Sequence, residues 1–165
     1  MANSKIWIPL SCLLVTSCGS KGYWKEDHIY SGSSEFSSTK LSYLSPDSNN
    51  AVQMEIFQTK ESLMGYLYVQ ATPIPAFQDN PKKAEVHLQI EEKSFSYIVT
   101  RHEGGHKLLL SEEILLVILE ALAKKATVFV KLQGYRANIS PEGFEPYYKR
   151  FQSLPKLPQL IQLPI

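Results

Sequence analysis

The chain has 165 residues, with 17 Lys+Arg and 16 Asp+Glu for a formal net charge of +1, 44% hydrophobic and 20% charged residues, and two cysteines. That length fits one domain, and the apolar content is that of a folded globular protein. A near-zero charge argues against nucleic acid as the main partner, because phosphate binding needs a cationic surplus. Two cysteines cannot build a disulfide scaffold.

Residues 1–18 read MANSKIWIPLSCLLVTSC. Lys5 is their only charge, and Ile6 to Val15 is an apolar run of ten residues. A bilayer-spanning helix needs about 20, whereas ten is the length of a signal-peptide core. The small residues Thr16 and Ser17 then lead into Cys18. Leu14-Val15-Thr16-Ser17-Cys18 resembles the lipobox of bacterial lipoproteins, although that family prefers Leu where Val15 stands. The resemblance implies cleavage between Ser17 and Cys18, with the Cys18 thiol carrying a diacylglycerol. It makes 1–17 a signal peptide and the membrane, through lipid on Cys18, a partner. It also implies a bacterial cell membrane location, the outer membrane if the envelope is Gram-negative, since Gly19 stands where Asp signals inner-membrane retention. Several acyl chains on one residue give stable attachment where one chain binds only marginally. Processing would remove Lys5, Cys12 and no acid, leaving sixteen basic and sixteen acidic groups and no thiol for a disulfide, a thiolate metal site or a nucleophile.

Residues 18–38 are expected to form the lipidated tether, being rich in serine and polar. Tyr23, Trp24 and Tyr30 are unexpectedly aromatic there; docked as a first strand, they would shorten the linker. Residues 39–165 read as a single β-rich domain. Leu41/Tyr43 and Val52/Met54/Ile56 alternate with polar neighbours, and the apolar run from Leu63 to Ala71 suits a more buried strand. Thr72-Pro73-Ile74-Pro75 and Asp79-Asn80-Pro81 break the chain. Val86/Leu88/Ile90, Phe95/Tyr97/Val99, Leu108/Leu110 and Val128/Val130/Leu132 supply further strands. Such spacing with turn signals points to an antiparallel β-sandwich-like arrangement.

One long helix is expected over about 112–125. Ser111 is a good N-cap, Glu112 and Glu113 suit the first turn, and Lys124-Lys125 suit the last. Ser140-Pro141-Glu142 opens a short C-terminal helix through Phe144, Tyr147, Tyr148 and Phe151, which Pro146 would kink. The proline-punctuated tail after it is expected to be extended. The fold class is therefore β-rich α+β. Residues 107–151 resemble the C-terminal part of the invasion-associated locus B family, through the capped helix, Ala121-Leu122-Ala123-Lys124, a strand, Ile139-Ser140 and Gly143-Phe144-x-x-Tyr147. That resemblance implies a β-sandwich-like fold with a helix. The texture of the whole chain is similar to that of the small chlamydial lipoproteins.

His102-Glu103-Gly104-Gly105-His106 is formally an H-E-x-x-H string. Zincins need it on a helix, which puts both histidines on one face and the Glu beside a zinc-bound water. Here a β-alternating run enters it and two glycines fill its centre, each costing a helix about 1 kcal/mol relative to Ala. A hairpin turn is the expected conformation. His102 and His106 as metal ligands remain the alternative, belonging to a zinc-dependent hydrolase with Glu103 as base. No G-x-S-x-G elbow and no Gly-rich phosphate loop occurs in the sequence. No catalytic residue and no cofactor is therefore assigned. The expected role is a non-enzymatic structural or binding module for an envelope protein or ligand, with carriage of a small apolar ligand as a further alternative.

Overall fold

The computed structural model describes residues 22–29, 38–46, 52–59 and 62–152. The signal segment, Cys18 and the tail after residue 152 lie outside the described residues. Nine strands follow in chain order: β1 Tyr23–Ile29, β2 Ser38–Leu44, β3 Val52–Gln58, β4 Leu63–Val69, β5 Lys83–Ile90, β6 Lys93–Arg101, β7 Lys107–Leu110, β8 Val128–Leu132 and β9 Tyr135–Ile139. Helix α1 (Glu112–Ala123) joins β7 to β8, and α2 (Glu145–Gln152) follows β9. All nine strands form one antiparallel sheet in the order β1-β2-β3-β4-β7-β6-β5-β8-β9. The chain thus has the β-rich α+β fold with one longer and one short C-terminal helix that its patterning implies.

The alternating residues decide which face is buried. Val52, Met54 and Ile56 in β3, with Val86 and Leu88 in β5, point to the inside and are almost fully buried. Their neighbours Gln53, Glu55, Glu85 and His87 face outward. The sheet curls until its edges meet. Trp24 of β1 donates its indole N–H to the Ser140 carbonyl just past β9 at 2.9 Å. Its ring packs on Tyr43 and on Phe144, which is completely buried ahead of α2. Glu26 of β1 and Arg150 of α2 add an ion pair across the same seam. Residues 23–29, part of the expected tether 18–38, are therefore a strand of the domain, and the docked alternative holds.

α1 lies against the concave face. Ile114, Leu115, Ile118, Leu119, Ala121 and Leu122 are buried, while Leu116 and Val117 are half-buried. The Ser111 hydroxyl accepts the Ile114 N–H at 3.4 Å, and Glu112 and Glu113 occupy the first turn. The helix stops two residues short of its expected end. Lys125 turns into the left-handed region at φ 65, the Lys125 N–H reaches the Leu122 carbonyl, and the Ala126 N–H reaches Ala121. That is a Schellman closure with lysine where glycine is usual, so both lysines lie beyond the last turn. Glu113 also faces Tyr97, whose phenol is held above its usual pKa by burial first and by that carboxylate second. The neutral phenol is favoured, so this contribution is intact below the ordinary tyrosine pKa and fades as pH rises above it.

The helix approaches β4 at Gly65. A Cβ there would lie 2.7 Å from Leu115 Cδ1 and 3.3 Å from its Cγ, so the whole Leu115 side chain blocks it. Gly65→Ala is expected to cost about 1–3 kcal/mol by overpacking. Adding Leu115→Ala should recover part of that loss in a denaturant titration, a sign that two truly independent sites would not give.

At the C-terminal side, β9 and the start of α2 depart from expectation. Tyr135, Ala137 and Ile139 alternate as a strand paired along β8. Ser140 does not cap a helix: its hydroxyl takes the Glu142 N–H in a turn, Gly143 follows at φ 77, and α2 begins at Glu145. Pro146 then falls in the first turn, where no helical bond to its nitrogen is needed, so it causes no kink. Among the described residues no helix is long and apolar enough to cross a membrane.

Candidate functional site

The H-E-x-x-H string is the β6–β7 hairpin. Gly104 and Gly105 take φ 81 and 73, the Gly105 N–H returns to the His102 carbonyl at 3.0 Å, and the His102 N–H meets the Lys107 carbonyl at 2.9 Å. The helical face that zincin chemistry requires is absent from this string. The two imidazoles have separate neighbours: His106 Nδ1 lies 3.2 Å from the Val69 carbonyl, and the His102 ring packs on Tyr66. Among the described residues no three His, Cys, Asp or Glu side chains group as metal ligands. His102→Ala with His106→Ala is expected to leave metal content unchanged by elemental analysis and to cost under about 1.5 kcal/mol, the worth of the His106 hydrogen bond. A stoichiometric zinc that disappears in the double variant would overturn this.

The hairpin instead anchors the long β4–β5 connection, residues 70–82. Its Gly105 carbonyl accepts the Ile74 N–H at 2.9 Å. Arg101, the last residue of β6, donates from Nε to the Ile74 carbonyl at 2.7 Å and from Nη1 to the Pro81 carbonyl at 3.0 Å. Its guanidinium occupies the space that a Cβ on Gly105 would fill, 2.1 Å from Nη2. Tyr135, at the start of β9, uses one hydroxyl for both the Thr72 N–H and the Thr72 carbonyl. A Phe77–Asn80 turn, with Gln78 and Asp79 at positive φ, closes back onto Lys83. Backbone groups that a loop would otherwise leave to water are thus tied to three strands.

Because the β8–β9 hairpin stops short of the neighbouring strand ends, this connection overhangs it and encloses an open cleft of ≈ 390 Å³. That volume is within the range of small-ligand sites. Pro75, Ala76 and Phe77 form one wall over Ile74, the Gln133-Gly134 turn forms another, and Glu85, His87 and Lys131 project into it from β5 and β8. His87 Nδ1 meets the Ser96 hydroxyl of β6 at 2.7 Å, and its Nε2 lies 3.6 Å from Glu85. A hydroxyl, an imidazole and a carboxylate in sequence are the parts of a nucleophilic relay. Here the last contact is longer than a hydrogen bond, and all three groups are well exposed on a strand surface. They form a cross-strand polar row that fixes the His87 ring beside the cleft.

On the same convex face, Lys107 Nζ lies 4.1 Å from the Tyr66 ring centre and 5.2 Å from that of Phe57, with Glu55 at 3.1 Å. Lys40 reaches the other Glu55 oxygen at 3.5 Å. This cation–π and ion-pair cluster braces β2, β3, β4 and β7.

No known family model, curated protein or solved structure matches the chain. Of the residues singled out from sequence, His102, Glu103 and His106 lie together in the hairpin, and Cys18 lies outside the described residues. Arg101, Tyr135, His87 and Lys131 have no motif. Alternation does place His87 and Lys131 on outward faces, but nothing local pairs β5 with β8 across the stretch from Ile90 to Val128.

Proposed function

We propose that the chain is a lipid-anchored protein of the bacterial cell envelope, whose domain serves as a binding or interaction module. The observation that carries this reading is Cys18, set directly after an apolar run of signal-peptide length and the small residues Thr16 and Ser17. The domain's first strand starts at Tyr23, five positions later. Its braced overhang makes the cleft a rigid surface for a ligand or an envelope partner, and preorganisation of this kind lowers the ordering cost of binding. Intact mass of the membrane-extracted protein tests the anchor. The expected mass lacks residues 1–17 and carries added acyl groups, and Cys18→Ala abolishes both changes. Recovery of an unprocessed chain beginning at Met1 in a detergent-free extract would refute it.

A further inference from the structure

We propose that the end of the sheet at which β1 begins lies against the bilayer, held to anionic headgroups by lysines around the overhang; this rests on lipidation of Cys18. Registers place that end. Tyr23 pairs with Leu44, Val52 with Val69, Tyr68 with Lys107, and Thr100 with both Leu109 and Lys83. The strands from β1 across to β5 therefore finish nearly flush, and the β6–β7 hairpin and the overhang project beyond them. Neighbouring strands are about 4.8 Å apart, so the flush edge from β1 to β6 is about 24 Å long. Four peptide units separate Cys18 from Gly22, and they reach at most about 15 Å. A lipid on Cys18 therefore keeps this edge, and not the opposite one, next to the headgroups.

Charge agrees with that orientation. Lys82, Lys83, Arg101 and Lys107 stand at this end, with Lys131 in the cleft mouth, against Asp79, Glu103 and the cleft's Glu85 among the described residues. Lys82, Lys83 and Lys131 form no ion pair among the described residues, whereas Lys107 is held by Glu55. The opposite end is mixed: Glu91 and Glu92 in the β5–β6 turn stand beside Lys93, and Glu112 and Glu113 at the start of α1 are matched by Lys124 and Lys125 just ahead of β8. An anionic surface attracts the unpaired lysines of the first set within a Debye length, whereas the mixed end offers it no basic surplus. Tyr23, 57% exposed, is the first strand residue after the anchor, where an interfacial tyrosine is favoured.

The test uses the full lipidated chain reconstituted in phosphatidylcholine vesicles with and without phosphatidylglycerol. Processing removes Cys12 and the lipid occupies Cys18, so an introduced cysteine is the sole free thiol. A nitroxide on Ala76→Cys, in the overhang, is expected to lose collisions with a water-borne nickel complex when phosphatidylglycerol is present. A nitroxide on Glu92→Cys keeps them. Lys82→Glu with Lys83→Glu and Lys131→Glu, or high salt, restores access at position 76. A label at 76 that stays equally open on both vesicles overturns the proposal and leaves the basic end to an acidic soluble partner. Protection at 92 in place of 76 overturns it outright. A chain that carries no acyl mass and does not stay with the vesicles overturns the lipid-anchor reading itself, and this proposal with it.

Discussion

Gly105→Ala is expected to destabilise the domain by about 2–4 kcal/mol, whereas Gly104→Ala one residue earlier costs only about 1 kcal/mol. Both glycines have positive φ, 81 at Gly104 and 73 at Gly105, so both substitutions incur backbone strain. The difference lies in what a methyl group meets. Around Gly104 there is nothing within 4 Å, while at Gly105 it would fall on the Arg101 guanidinium, with Nη2 at 2.1 Å and Cζ at 2.7 Å. A free arginine would swing aside at little cost, but this one donates to the Ile74 and Pro81 carbonyls. Evicting it strands those carbonyls and loosens the overhang, so the cleft wall should become protease-sensitive between residues 73 and 82. Thermal unfolding supplies the magnitude, at roughly 3–6 °C per kcal/mol for a domain of this size, and limited proteolysis supplies the location. Equal losses in the two variants would show that the arginine seat contributes nothing.

Local sequence carries the hairpin but not the difference between its two glycines. Two adjacent glycines between alternating runs are enough to place a hairpin at 104–105, and they do. Their unequal roles depend on Arg101 reaching Ile74, a contact that spans twenty-seven positions. Nothing local distinguishes that arginine from any strand-end cation. The long helix was legible because Ser111, the two glutamates and the apolar periodicity agree with one another. Its end was not, because Lys125 adopts the left-handed conformation in place of the glycine that would have signalled it. Likewise Ser140-Pro141-Glu142 has the composition of a helix start. Trp24 claims the Ser140 carbonyl from the far edge of the sheet, and the chain makes a turn before α2.

The cleft follows the same division. Alternation in β5 and β8 fixes which side chains face outward, so His87 and Lys131 were readable as surface residues. Their convergence requires β5 to pair with β8 at His87↔Lys131 and with β6 at His87↔Ser96. Long-range pairing of that kind is set by how the whole sheet closes, and single-strand patterns carry no record of it.

Trp24 joins the first strand of the sheet to the chain that follows its last. Trp24→Ala is expected to cost about 3–5 kcal/mol, the usual range for deleting a large buried aromatic. Trp24→Phe is expected to cost about 1–2 kcal/mol, because the ring contacts largely survive and only the Ser140 carbonyl loses its donor. The indole is 8% exposed and lies 5.1 Å from the Tyr43 ring and 4.9 Å from that of Phe144, so it joins β1, β2 and the approach to α2 at one point. β1 is an edge strand with one ladder, to β2. Without the indole it keeps that ladder and loses its principal apolar contact with the other edge. Amide hydrogen exchange should then rise across Tyr23–Ile29 well before it rises in β5, and chemical denaturation should show a lowered midpoint. If Cys18 carries the proposed lipid, a frayed β1 lengthens the chain between Cys18 and the nearest fixed strand from four residues to the full distance to Ser38. The overhang would then no longer be held to the bilayer, and the protection expected at Ala76 should weaken in Trp24→Ala while surviving in Trp24→Phe.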